Sequence, residues 1–271
     1  MNITFIGGGN MASALIGGLL QKGFAAKTIS VVEITAESRD RLEREYGVNT
    51  FAEASPAALA CNVLVLAVKP QQLRELAGQL QPLLKQQLII SIAAGIRSAD
   101  LSRWLGGYSL LVRAMPNTPA MVQAGMIGLF ALPAVSAEQR RAAEAIMNAV
   151  GSILWLDDEG RMDGVTAVSG SGPAYVFYFI EALQQAAQEL GFTPDEARRL
   201  SLETFSGASK LASLSEEDAA VLRQRVTSKG GTTERALQSM ENAGVKQGIV
   251  EAVLAAAERS RELGEQLGQQ G

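Results

Sequence analysis

Gly7-Gly8-Gly9-Asn10-Met11-Ala12 combines residue types suited to one task, gripping a phosphate chain with bare backbone. The run follows an apolar stretch ending at Ile6 and opens a helical pattern, the setting in which G-x-G-x-x-A binds a dinucleotide. Gly7 permits a tight turn, Gly9 lets a pyrophosphate approach the main chain, and Ala12 lets a helix lie close on its strand. The helix start, with Gly8, Asn10 and Met11, offers free N–H groups and a positive dipole end to the phosphates. Glu33 closes the second apolar run, where a carboxylate accepts a hydrogen bond from an adenosine ribose hydroxyl; taken alone it favours NAD. Arg39 and Arg41 follow within reach of a 2′-phosphate, although charges on an exposed helix face are more often simply solvated.

Further along, Ala67-Val68-Lys69-Pro70 ends another apolar run, and Ile92-Ala93-Ala94-Gly95 ends the next. Both belong to the carboxyl edge of a parallel sheet, where ligands bind in such folds. The first carries a lysine that either points at a cofactor or caps the next element. The second is small enough for a nicotinamide ring to lie against it. Met115-Pro116-Asn117-Thr118-Pro119 is a stiff double-proline loop at the same edge, with Asn117 as its polar group facing the crevice. Late in the chain, Thr227-Ser228-Lys229-Gly230-Gly231-Thr232-Thr233-Glu234 is a glycine-rich turn feeding a helix, with Thr232 or Thr233 as N-cap. Such a turn turns backbone N–H groups toward an anion, and a substrate carboxylate suits it. Ser169-Gly170-Ser171-Gly172-Pro173 has the same design, with ligand contact and close helix packing weighing equally.

What is missing narrows the chemistry. The chain has no histidine, which excludes histidine-based dehydrogenase and hydrolase mechanisms and removes the commonest metal ligand. No metal site is expected. The single cysteine, Cys61, begins an apolar run and reads as a small core residue in a reducing compartment. A net charge of −4 offers no footprint for nucleic acid. No apolar run approaches the roughly 20 residues of a membrane span, and no export signal is visible, so a cytoplasmic, soluble protein is expected.

The elements that must position these residues follow from periodicity. Short β-branched runs at 3–6, 28–33, 63–68, 88–93, 110–113, 126–130 and 153–156 alternate with helical patterns near 10–22, 36–46, 71–84, 98–105 and 136–150. This predicts an α/β Rossmann-type domain with a doubly wound, mostly parallel sheet over 1–158. From 159 to 271 only helical patterns follow, near 173–190, 194–213, 216–227, 232–243 and 245–267, predicting an all-α substrate and dimerisation domain. Thr193-Pro194-Asp195-Glu196 marks a helix start there. The helix near 173–190 opens with apolar residues on every face, which calls for a partner subunit.

Five segments now stand in order: Phe5 to Ala12, Ala67 to Pro70, Val112 to Pro119, Val168 to Tyr175, and Val226 to Thr233. Together they resemble pyrroline-5-carboxylate reductases over essentially the full length. The resemblance implies reduction of L-1-pyrroline-5-carboxylate to L-proline, with NADPH as cofactor and NADH possible. It also implies a helical C-terminal domain interlocking with a second subunit, and a decamer built from five dimers. By the same resemblance, Thr233 lies beside the substrate ring nitrogen, Ser228 and the backbone around Gly231 and Thr232 hold the substrate carboxylate, and Glu159 is a catalytic carboxylate. Two positions depart from the family pattern: Arg225 where some members carry asparagine, and Glu33-Ile34 where many NADPH-using members carry a small polar residue followed by arginine.

Two other readings compete. A β-hydroxyacid dehydrogenase needs a catalytic lysine four residues after its substrate-domain G-x-G, a position held here by Val176. A non-catalytic NADPH-binding sensor would keep the cofactor fold and bind a partner, but it has no need of Ser228, Thr233 and the double-proline loop.

Overall fold

The computed structural model describes residues 1–269, which fall into two compact units. Among the described residues the first comprises Met1–Ser171 together with 256–269, and the second Gly172–Ala255. The boundary expected after residue 158 thus lies inside the first unit, which keeps the segment up to Ser171 and takes back the end of the chain.

The first unit is built on eight strands: β1 (Ile3–Ile6), β2 (Ile29–Val32), β3 (Asn49–Phe51), β4 (Val63–Leu66), β5 (Leu88–Ser91), β6 (Leu111–Met115), β7 (Gly125–Ala131) and β8 (Gly151–Trp155). Their order is β3-β2-β1-β4-β5-β6-β7-β8, parallel throughout except between β6 and β7. Helices α1 (Asn10–Gln21), α2 (Ala36–Tyr46), α3 (Pro70–Leu80), α4 (Ser98–Trp104), α5 (Ala137–Met147) and the short α6 (Met162–Val165) connect or follow them. The expected doubly wound sheet is present.

Continuous apolar runs are what a sheet covered on both faces requires. All four residues of β1, β4 and β5 are buried. Because side chains alternate along a strand, each run feeds two cores. Ile3, Phe5, Val63, Val65, Leu88 and Ile90 pack with Leu15, Ile16 and Leu19 of α1 and Ile146 of α5. Ile6, Leu64, Leu66 and Ile89 point the other way, onto Leu73, Ala77 and Leu80 of α3 and Leu101 of α4. Strand order reverses between β2-β1 and β4-β5, so the carboxyl ends of β1 and β4 open the crevice where such sheets bind ligands.

Some expected boundaries shift. Thr28 sits in a single 3₁₀ turn, its hydroxyl donating to the Ala25 carbonyl, so the second strand begins at Ile29. The strand expected over 63–68 ends at Leu66, and Pro70 opens α3 rather than closing the strand. β3 was not expected: three half-buried residues carry no period to read.

The second unit contains α7 (Gly172–Glu189), α8 (Pro194–Leu214), α9 (Ala219–Arg225), α10 (Thr232–Asn242) and the first part of α11 (Val245–Gln269). Helix α8 starts on a full capping box: Thr193 Oγ1 accepts from the Glu196 N–H, and the Glu196 carboxylate accepts from the Thr193 N–H. The Thr193 N–H and the Thr193 hydroxyl both donate to the Glu196 carboxylate and hold it below its ordinary pKa. The unit has little interior of its own. No residue of α7, α9 or α10 is buried, and α8 buries only Ala197 and Ser201. Phe177 and Tyr178 are 64% and 72% exposed. An assembly this short of core does not hold as an isolated globule. Among the described residues no helix is long and apolar enough to cross a membrane.

Candidate active site

The β1–α1 turn is shaped by its glycines in three different ways. Gly7 has φ +97°, and a Cβ there would stand 2.6 Å from the Ala67 carbonyl oxygen, so only glycine lets the turns after β1 and β4 touch. Gly8 is packed from the other side, where a Cβ would meet Leu42 at 2.6 Å. At Gly9 a Cβ would meet nothing within 4 Å. The protein itself therefore makes no demand for glycine at Gly9. What a side chain there would obstruct is the space over the start of α1. The first α-helical bond runs from the Ser13 N–H to the Gly9 carbonyl, which leaves the N–H groups of Asn10, Met11 and Ala12 without helical acceptors. Gly9 as N-cap contributes no side chain to satisfy them. A dinucleotide's pyrophosphate fits this uncapped, positive helix end.

Glu33 lies one residue past β2. Its carboxylate accepts from the Gly8 N–H (3.0 Å) and the Thr35 N–H (3.0 Å), tying the glycine turn to the loop after β2. Arg39 donates to the carbonyls of Glu33 and Ile34, and Arg41 to the Gly8 carbonyl while pairing with Glu45. Both arginines hold main chain around the glycine turn and the end of β2, which corrects the expectation that they are merely solvated. Ile34 is exposed.

At the next loops, Val68 is half-buried, and Lys69 is exposed as backbone N-cap of α3, with no side-chain cap. Ala93 is buried and Ala94 exposed in the turn after β5, where Gly95 takes φ +78°. Asn117 differs from expectation. Its Oδ1 accepts from the Met126 N–H, and its Nδ2 donates to the carbonyl and hydroxyl of Ser169. The side chain is engaged inward, stitching the double-proline loop to β7 and to the Ser169 segment. In that segment Gly170 lies against the terminal methyl of Met115, which a Cβ there would meet at 2.7 Å.

In the second unit, the turn between α9 and α10 closes through a hydrogen bond from the Gly231 N–H to the Ser228 carbonyl (3.0 Å), with Gly230 at φ +73°. The N-cap is Gly231, not Thr232 or Thr233, which occupy the first two helical positions. Gly231 has no capping side chain, so the N–H groups of Thr232, Thr233 and Glu234 stay open to an anion while Glu234 Oε2 accepts from the Gly230 N–H. Ser228 is exposed on this turn and Thr233 half-buried. Arg225 pairs with Glu217, so its charge has a local function.

Glu159 belongs to the first unit, and its Oε1 accepts from Arg113 Nη1 (2.9 Å) and from the Ser98 N–H (2.7 Å). Arg113 was overlooked by sequence reasoning, although an arginine inside an apolar strand is itself a signal, since a buried guanidinium needs a counter-charge. Cys61 is unpaired, and burial pushes its thiol pKa up, as suits a core residue rather than a nucleophile. Among the described residues no cluster of candidate ligands for a metal ion occurs.

A doubly wound sheet with an uncapped glycine turn at its switch point, followed by helices carrying a second anion-ready turn, defines the class of dinucleotide-dependent oxidoreductases. A family model described as pyrroline-5-carboxylate reductase dimerisation matches residues 159–263, and one described as NADP oxidoreductase coenzyme F420-dependent matches residues 2–95. A pyrroline-5-carboxylate reductase of Pseudomonas aeruginosa is 47% identical over 98% of both chains. The structure of a pyrroline-5-carboxylate reductase from Coxiella burnetii is 42% identical with a TM-score of 0.92, covering 97% of this chain and 98% of that one. That of Plasmodium falciparum pyrroline carboxylate reductase with NADP bound is 30% identical with a TM-score of 0.86 over the same shares. The chain belongs to the pyrroline-5-carboxylate reductase family.

Proposed function

We infer that the chain reduces L-1-pyrroline-5-carboxylate to L-proline with NADPH, and accepts NADH. The observation that carries this reading is 47% identity over 98% of the chain to an enzyme of that name, joined to two uncapped helix starts suited to a pyrophosphate and a carboxylate. When bound, the nicotinamide supplies a hydride to the imine carbon. Ser228 and the amides at the start of α10 hold the substrate carboxylate, and the Thr233 hydroxyl orients the ring nitrogen. That nitrogen enters already protonated, so hydride addition discharges a cation instead of creating an alkoxide, and no strong acid is needed. A chain without histidine is adequate for this reaction, because positioning alone can supply about 7–11 kcal/mol of the barrier reduction in favourable cases. A spectrophotometric assay with pyrroline-5-carboxylate, run in parallel with NADPH and NADH, tests the reading; no oxidation of either nucleotide would reject it in favour of a sensor.

The reading includes a cytoplasmic homodimer, assembled further into a decamer of five dimers. The dimer is supported by the second unit itself, whose apolar side chains have no interior to enter. Substituting Phe177→Asp and Tyr178→Asp together is expected to break the dimer, because a buried aromatic anchor commonly contributes about 2 kcal/mol or more to an interface. Sedimentation velocity should show a lighter species that unfolds at lower temperature. An unchanged sedimentation coefficient would remove α7 from the interface.

A further inference from the structure

We propose that Arg113 and Glu159 are positioning residues that fix the turn between β5 and α4 beneath the nicotinamide end of the cofactor, and that Glu159 transfers no proton. The inference rests on the reductase reading above. Arg113 is 5% exposed in the middle of β6, where an unpaired guanidinium is strongly disfavoured. Its Nη1 donates to Glu159 Oε1, and the same oxygen accepts from the N–H of Ser98, the first residue of α4. Nothing local does that work. The N-cap residue Arg97 gives no side-chain cap, and the buried Ser98 hydroxyl has no partner among the described residues. The start of α4 is therefore held by a carboxylate 61 residues away in sequence, itself anchored on a strand of the sheet.

Between Ser91, which ends β5, and Ser98 runs the turn that carries Ala93 and Ala94. Its outer side is closed by the end of α11. A Cβ on Gly95 would meet Leu267 at 3.1 Å, one on Gly264 would meet the Gly95 carbonyl at 3.2 Å, and Arg97 pairs with Glu265 at 3.6 Å. The turn is thus pinned at its helical end by the charged junction and covered at its glycine by α11. Strand β5 adjoins β4 at the switch-point crevice, so this turn borders the region where such sheets bind their ligands. Glu159 Oε1 accepts from both the Ser98 N–H and Arg113, so this oxygen is committed to the junction.

The test compares two ligands, NADPH and adenosine 2′,5′-bisphosphate, which lacks the nicotinamide half. Glu159→Gln keeps an oxygen for the Ser98 N–H but loses the charge facing Arg113. It is expected to weaken NADPH about tenfold and adenosine 2′,5′-bisphosphate less than about twofold, with kcat lowered and the limbs of the pH–rate profile unmoved. Arg113→Lys should show the same ratio. Should either single variant fail to fold, Arg113→Met with Glu159→Met removes both charges together and is expected to fold with the same shift in ratio. Equal weakening of both ligands, or unchanged binding of both, overturns the proposal, as does loss of a pH–rate limb in Glu159→Gln. A parent chain that binds NADPH but reduces no pyrroline-5-carboxylate would defeat the reductase reading, while the ratio of affinities would still decide the positioning role.

Discussion

Gly9→Ala is expected to fold like the parent and to bind NADPH about a hundredfold more weakly, whereas the first effect of Gly7→Ala is expected to be a loss of stability. The two glycines are two residues apart, yet physical chemistry separates them. Gly9 has φ −72° and ψ −174°, an extended conformation open to any residue, and nothing in the protein lies within 4 Å of an added Cβ. Alanine at an N-cap in place of glycine costs roughly 0.5–1 kcal/mol, too little to unfold the chain. The methyl group would instead occupy the space over the open N–H groups of Asn10, Met11 and Ala12. Forcing a phosphate past it costs about 1–3 kcal/mol, and each 1.4 kcal/mol is about tenfold in Kd. Gly7 has φ +97°, and its Cβ would overlap the Ala67 carbonyl at 2.6 Å. Left-handed backbone costs about 1–2 kcal/mol for alanine and the overlap about 1–3 more, which lowers Tm by roughly 10 °C in a chain of this size. Calorimetry and a nucleotide titration on both variants check the contrast. A Gly9→Ala chain that binds NADPH normally would show that the pyrophosphate does not cross this turn.

That contrast also marks the limit of what the sequence tells. The motif already gave the turn to Gly7 and the ligand's approach to Gly9, whereas the packing of Gly8 against Leu42 emerges only in the folded chain. The sheet was legible because its central strands are buried on both faces: Ile3–Ile6 and Val63–Leu66 can only be read as strands covered by helices. The α10 turn was legible because glycines and hydroxyls sit directly before a helical pattern. What stayed hidden depends on long-range pairing. Glu159 and Arg113 are separated by 46 residues, and no local period announces that they meet. Asn117 looked like a ligand group because it stands between prolines, yet its bonding capacity goes to Met126 and Ser169, on segments whose approach only the tertiary fold determines. The need for a partner, by contrast, was legible from the start of α7, since a helix that opens with apolar residues on every face must be covered by something.

The substrate turn yields the second large effect. Thr233→Ala is expected to lower kcat on the order of a hundredfold with NADPH affinity changed less than about twofold. The backbone of the turn does not depend on this side chain. The N-cap is Gly231, the turn is closed by the Gly231 N–H on the Ser228 carbonyl and by Glu234 on the Gly230 N–H, and alanine suits the second position of a helix. The carboxylate grip therefore survives, so KM for pyrroline-5-carboxylate should rise only a few-fold while the ring turns freely about its anchored acid group. Ser228→Ala, which removes a hydroxyl from the grip itself, is expected to show the opposite balance, with KM raised more than kcat is lowered. A serine at 233 restores a hydroxyl and should recover most of the turnover, which separates an orienting hydrogen bond from simple space-filling. Steady-state kinetics on the three variants, with nucleotide binding measured separately, decides the assignment. Loss of NADPH affinity in Thr233→Ala, or no rescue by serine, would place the ring nitrogen away from this hydroxyl.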